Sequence, residues 1–360
     1  MSSQRTISEE LVSKLTCTNE LGLDGMIRKV PPAQPSAIRR WSTSSSLGLL
    51  EVLPAELLLL TLNFLDFQSL SRLSRACLKG KAVVETLPAY KEMMKHAPEV
   101  LTALGRTGLL SYHSSSLLRQ TLRSEKCVSC FDFGAFLFLP TCERVCFECL
   151  HQNQALRMTT LASAKRCFHL THSQLKRIPI MHSIPGIYCV RFQVSYSRTC
   201  RLVSVKQAKQ LGIEVHGSIE NLAKLALTTR RGKMTSRESW ILKYFREAPL
   251  EPPGCDLSRL PEKSNITEDN FAGMASIRIP YLTEAGADRG RLCRGCQVTY
   301  EHYRQGSLPA SVLSELAPPG VGPHRPLLAI LARLRSRDRF LDHIRHCYGA
   351  SRLVLDWTED

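Results

Sequence analysis

The sequence predicts an α+β fold, in which an N-terminal three-helix unit is followed by small α+β modules stabilised by zinc. Three observations predict it. Cys127 and Cys130 are followed by Cys146 and Cys149 in the pattern C-x2-C-x15-C-x2-C, the spacing with which two thiolate pairs close one tetrahedral zinc site. A leucine-rich stretch from Leu47 carries helix-start signals and apolar residues at helical spacing. Short alternating runs at 190–195 and 201–205 read as strands beside helical segments.

Residues 1–46 read as a disordered basic tail rich in Ser and Pro, because the prolines of 31–35 and the serines of 42–46 bury too little apolar area to repay ordering. Arg39 and Arg40 ahead of Ser42 have the look of a kinase acceptor. The first residues are polar and include Glu9 and Glu10, so no secretory signature is read. The most apolar run, 47–65, is broken by Glu51, Pro54, Glu56 and Asn63 and is no membrane span. A cytoplasmic or nuclear location is expected, and in a reducing compartment the 14 cysteines read as metal ligands and buried thiols.

Residues 47–105 read as the three-helix unit with a following helix. Pro54 and Glu56 suit the first turn of a helix that carries Leu57, Leu60, Phe64 and Leu65 at helical spacing. Asp66 and Ser69 offer a cap and turn before a second helix with Leu70 and Leu73 inward, and a third element runs from Lys79 to Leu87. Residues 106–126 are read as a linker.

Residues 127–200 form the predicted four-cysteine zinc module. The apolar run 133–139, with a bend at Gly134, is read as a strand of the hairpin that brings the cysteine pairs together. Four thiolates leave no open coordination position, so the ion folds the segment and does no chemistry. The alternative is a set of buried free thiols. Cys142 and His151 are spare groups nearby. Residues 201–360 read as an α+β lobe, in which Ser204 caps a helix over 205–211 ended by Gly212, and 217–227 forms another. A flexible insertion is expected over about 228–275.

Cys293 and Cys296, with His343 and Cys347, make a set of three cysteines and one histidine that would close the lobe with a second zinc ion. The i, i+4 spacing puts His343 and Cys347 on one face of a helix beginning at Pro326. His346 and His302 are rival ligands, and buried free thiols are again the alternative.

The order of Leu53, Pro54, Glu56 and Leu57, then Phe64, Leu65 and Asp66, then Leu70, Leu73 and Arg75, resembles the F-box. With the cysteine-rich block that follows, the chain from about Leu47 to Tyr188 is similar to fungal F-box proteins. The resemblance implies a non-catalytic substrate-recognition adaptor of a cullin ubiquitin ligase of the SCF type, whose F-box grips a small acidic Skp-type linker protein. It implies partner-binding roles for Leu53, Pro54, Glu56, Leu57, Leu65, Leu70 and Leu73, with the zinc-stabilised remainder meeting an unknown substrate. No leucine-rich, kelch or WD repeat follows the F-box-like stretch.

The formal net charge is +16. Between His151 and Pro249 there are seventeen Lys or Arg against four Asp or Glu, whereas Leu47 to Gly105 carries six of each. That excess keeps open a basic zinc-dependent nucleic-acid or chromatin binder as the alternative function. The sequence shows no phosphate loop, nucleophile elbow or supported carboxylate pair, so no catalytic set is expected.

Overall fold

The structure, a computed structural model, describes residues 9–17, 46–189, 193–225, 236–247 and 271–359 other than 318 and 321. Helix α1 (Glu9–Leu15) lies in the predicted tail, and its Val12 and Leu15 are buried against residues near the C-terminus. The expectation of disorder over 1–46 is therefore corrected for 9–17, where two apolar side chains a turn apart find a surface supplied by distant sequence. Ser42 and the rest of the tail before Ser46 lie outside the described residues.

The next helices are α2 (Ala55–Asn63), α3 (Phe67–Ala76) and α4 (Leu78–Thr86). The Asp66 carboxylate caps α3 by accepting from the Ser69 N–H at 2.9 Å, and the Cys77 sulfur caps α4 by accepting from the Gly80 N–H. Leu58, Leu62, Leu70, Val84 and Leu87 form a core belonging to this unit. Three residues of the predicted stripe face away from that core, Leu57 51 %, Leu60 55 % and Phe64 69 % exposed, while Leu65 packs half-buried against it.

Helices α5 (Pro88–His96) and α6 (Pro98–Thr107) each begin with a proline, whose missing N–H costs nothing in a first turn. Helix α7 (Ser115–Leu122) then occupies the stretch predicted as a linker, with Leu118 and Leu122 fully buried. The Ser115 N–H donates to the Leu65 carbonyl at 2.8 Å and its hydroxyl to the Asn63 carbonyl at 2.9 Å. The 106–126 segment thus clamps the three-helix unit to the body.

The body contains β1 (Phe136–Phe138), β2 (Glu143–Val145), α8 (Phe147–Gln152), β3 (Met158–Thr160), α9 (Leu161–Phe168), α10 (His172–Leu175), β4 (Met181–His182), β5 (Gly186–Cys189), β6 (Gln193–Tyr196) and β7 (Arg201–Ser204). It continues through α11 (Val205–His216), α12 (Ile219–Lys224), α13 (Ser236–Glu247), β8 (Ser276–Arg278), β9 (Tyr281–Thr283) and β10 (Gly286–Asp288). Helices α14 (Arg294–Arg304), α15 (Ala310–Leu316), α16 (His324–Leu331), α17 (Arg337–His346) and α18 (Tyr348–Glu359) complete it.

Two antiparallel three-stranded sheets, ordered β2-β1-β8 and β3-β7-β4, each join strands from both sides of residue 200. Phe136 faces Val145 on one side and Arg278 on the other, and Thr159 faces Val203. The proposed boundary at 200/201 therefore dissolves into one main core, running from Phe67 and Met93 through Phe136 and Phe138 to Ile277 and Leu334. A second core gathers Phe168, Val203, Leu211 and Leu242, so α13, placed by sequence in the flexible insertion, packs through Leu242. Residues 228–235 and 248–270 of that insertion lie outside the described residues. Helix α11 continues through Gly212 to Gly217, because Gly212 leaves room for close contact with Phe168 while Gly217 takes the left-handed φ of +85° that stops the helix. Among the described residues no helix is long and apolar enough to cross a membrane.

Candidate metal centres

The first C-x2-C pair sits on a tight turn held by backbone bonds from the Cys127 N–H to the Asp132 carbonyl and from the Phe131 N–H to the Cys127 carbonyl. Phe131 closes the turn with a left-handed φ of +60°. The second pair sits where β2 gives way to α8, with Cys146 at the cap and its sulfur accepting from the Cys149 N–H at 3.4 Å. The β1–β2 hairpin, as the spacing predicts, brings the two pairs together, and the Val128 N–H joins the Arg144 carbonyl between them. The Cys127, Cys130, Cys146 and Cys149 sulfurs all lie within 4.8 Å of one another, and those of Cys130 and Cys146 are 3.5 Å apart.

Sulfurs at the ordinary distance from a tetrahedral zinc ion lie about 3.8 Å apart. The sulfur cluster therefore needs little rearrangement to hold one ion. Contact with Cys127 and Cys130 pushes the half-buried Cys146 thiol well above its usual range, because sulfurs this close disfavour its ionisation.

Arg144 lies in β2, the strand that leads into the second cysteine pair. Its guanidinium is buried and donates to the carbonyls of Thr121 at 3.0 Å, Gly134 at 2.5 Å and Pro280 at 2.6 Å. Burial lowers its pKa to about 9, still high enough to keep the charge at neutral pH. One side chain thereby ties α7, the hairpin and the end of β8. Sequence reasoning passed it over because no motif marks a buried arginine satisfied by carbonyls.

The second centre combines Cys293 and Cys296 at the start of α14 with His343 and Cys347 at the end of α17. The Cys296 sulfur is 3.2 Å from His343 Nε2, and the Cys293 and Cys347 sulfurs are 3.9 Å apart. The single helix expected from Pro326 to Cys347 is in fact two, because α16 ends at Leu331 and α17 begins at Arg337, with Cys347 at its C-terminal cap. The ligands converge all the same, since the i, i+4 step holds within and just beyond α17. His302 instead bonds the Tyr348 hydroxyl at 3.0 Å and His346 is exposed, so neither rival joins the set.

Close approach of α14 and α18 makes this convergence possible. A Cβ on Gly295 would strike the backbone of Ala350, and one on Gly349 would strike the Gly295 carbonyl. Hydrogen bonds from Cys293 and then Cys296 pull the Cys347 thiol below its ordinary value, whereas contacts with Cys293 and Cys347 push Cys296 well above it. Three sulfurs and an imidazole, buried or half-buried, are a donor set for a soft or borderline cation.

Both sequence-predicted ligand sets are thus brought together, and the described cysteines are free of disulfides. Either group can hold a metal ion. Of the residues assigned to partner binding, Leu53, Pro54, Glu56 and Leu57 are exposed, Leu65 and Leu73 lie half-buried against the unit's core, and Leu70 is fully buried. Leu70 therefore acts through packing, because a side chain with no exposed surface cannot touch a partner. No protein-family model, curated protein or solved structure matches this chain.

Proposed function

We propose that the protein is a non-catalytic substrate-recognition adaptor of an SCF-type ubiquitin ligase in the cytoplasm or nucleus, with two structural zinc ions holding its body. The zinc assignment rests on the donors: four thiolates in one centre, three thiolates and an imidazole in the other, and no position left for a substrate. The adaptor reading rests on the F-box-like order of residues and on one structural observation. The three-helix unit satisfies its own core, yet leaves Leu49, Val52, Leu57, Leu60 and Phe64 largely exposed on its other side. Leu57, Leu60 and Phe64 share one helical face, and large apolar side chains exposed along one face suit an interaction surface. A Skp-type linker is the partner that the resemblance supplies, and the zinc-stabilised remainder would hold the substrate.

Affinity purification of the full chain, with identification of what co-purifies, tests this reading. A Skp-type linker should be captured by the wild type and lost, by at least about 2 kcal/mol of affinity, when Leu57, Leu60 and Phe64 are changed together to Ala. Capture of nucleic acid in place of the linker, weakening steeply with salt, would favour the alternative suggested by the basic stretch from His151 to Pro249.

A further inference from the structure

We propose that residues 9–17 are a metal-dependent latch, docked over the second centre and held there only while an ion keeps Cys293, Cys296, His343 and Cys347 together. The proposal rests on the reading that this centre binds a metal. Helix α1 has 7 residues, too few to hold a helix alone in water, so its order comes from the surface beneath it. That surface includes three of the four ligands. Val12, 4 % exposed, and Leu15, 1 % exposed, share one cluster with Cys293, Cys296, Cys347, Phe340 and Ile344.

The chain beyond α1 continues the contact. Thr16 forms a backbone bridge to Cys293, and the Cys17 N–H donates to the Leu292 carbonyl at 2.9 Å. Gln297, beside Cys296, donates from Nε2 to the Cys17 sulfur at 3.2 Å. At the other end Glu9 pairs with Arg337, the first residue of the helix that carries His343. Each of these contacts lands on a ligand, on its neighbour, or on the ligand-bearing helix.

The surface under α1 has two parts, the 292–297 segment and the α17–α18 corner, and the four ligands are divided between them. An ion that bridges the two parts fixes their spacing beneath α1, and its loss leaves only the α14–α18 packing to hold it. Docking and metal binding are then reciprocal: whatever factor the ion adds to docking, docking adds to the ion's affinity. Couplings of this kind span about 5-fold to 150-fold. While the latch is closed the chain is anchored at Cys17, and when it opens residues 9–17 become available to proteases and partners.

The test uses the full chain carrying its metal, with native mass spectrometry to count ions and a chelating dye to follow their release. Val12→Asp with Leu15→Asp should speed release of one ion about 10-fold and leave the other unchanged, and the milder Leu15→Ala should act in the same direction. His343→Ala should expose Lys14 to trypsin, and in the wild type cleavage there should be slow. Two bound ions whose release neither variant alters, or Lys14 cut equally with and without His343→Ala, would overturn the latch. A wild-type chain holding one ion, with Lys14 protected, would instead overturn the metal reading of this centre and with it the metal dependence.

Discussion

Cys296 and His343, forty-seven residues apart in sequence, meet with sulfur and Nε2 at 3.2 Å. The meeting depends on a third position between the two cysteines of the pair, Gly295, where helix α14 passes against Ala350.

Replacing Gly295 by Ala should separate the two halves of that centre. The new methyl would collide with backbone, which cannot swing aside as a flexible side chain can. We expect a loss of about 2 kcal/mol in stability from the overpacking. Metal analysis should show the C-terminal ion lost and the ion of the four-cysteine centre kept, and a variant retaining both would show that the close approach is dispensable.

The contact between Gly134 and Arg144 should be equally intolerant. A Cβ on Gly134 would run into the Arg144 side chain, which is fixed by carbonyls on three sides. Gly134→Ala should cost about 2 kcal/mol. Arg144→Met leaves those carbonyls without their donor and should cost about 3 kcal/mol or more. Urea unfolding checks both, and a change within about 0.5 kcal/mol for Arg144→Met would remove the arginine from its organising role.

His113 should make stability fall on mild acidification. Burial lowers its pKa, outweighing the opposing effect of its Nε2 bond to the Leu139 carbonyl at 2.7 Å. A histidine with a lowered folded pKa binds protons more readily when unfolded, so its contribution is complete above the unfolded pKa of about 6.5 and declines as pH drops towards the folded value. Between pH about 7.5 and about 5.5 the urea midpoint should drop less in His113→Gln than in the wild type. Parallel curves would show that His113 does not titrate on unfolding.

The cysteine pairs and the three-helix unit were legible because their signals are local or rest on fixed spacing. Cys127 to Cys149 needs only a hairpin to converge, and Asp66, two residues after Phe64, is a cap that the sequence announces. What escaped depends on distant partners. Val12 and Leu15 look like isolated apolar residues in a polar stretch until residues 293–350 give them a surface. Helical spacing placed Leu57, Leu60 and Phe64 on one face without saying that Leu58 and Leu62 would take the core instead. Gly212 read as a helix stop, yet its value lies in the space it leaves for Phe168. Leu118 and Leu122 in the supposed linker lacked a long enough pattern to declare a helix.

Two four-ligand groups can each hold a metal ion, and the proposed zinc ions are expected to hold this chain together. Native mass spectrometry of the purified protein tests it most directly. Two zinc ions per chain are expected, falling to one with His343→Ala and to one with Cys127→Ser. A chain at its metal-free mass, folded and with the cysteines of both sets open to alkylation, would contradict it.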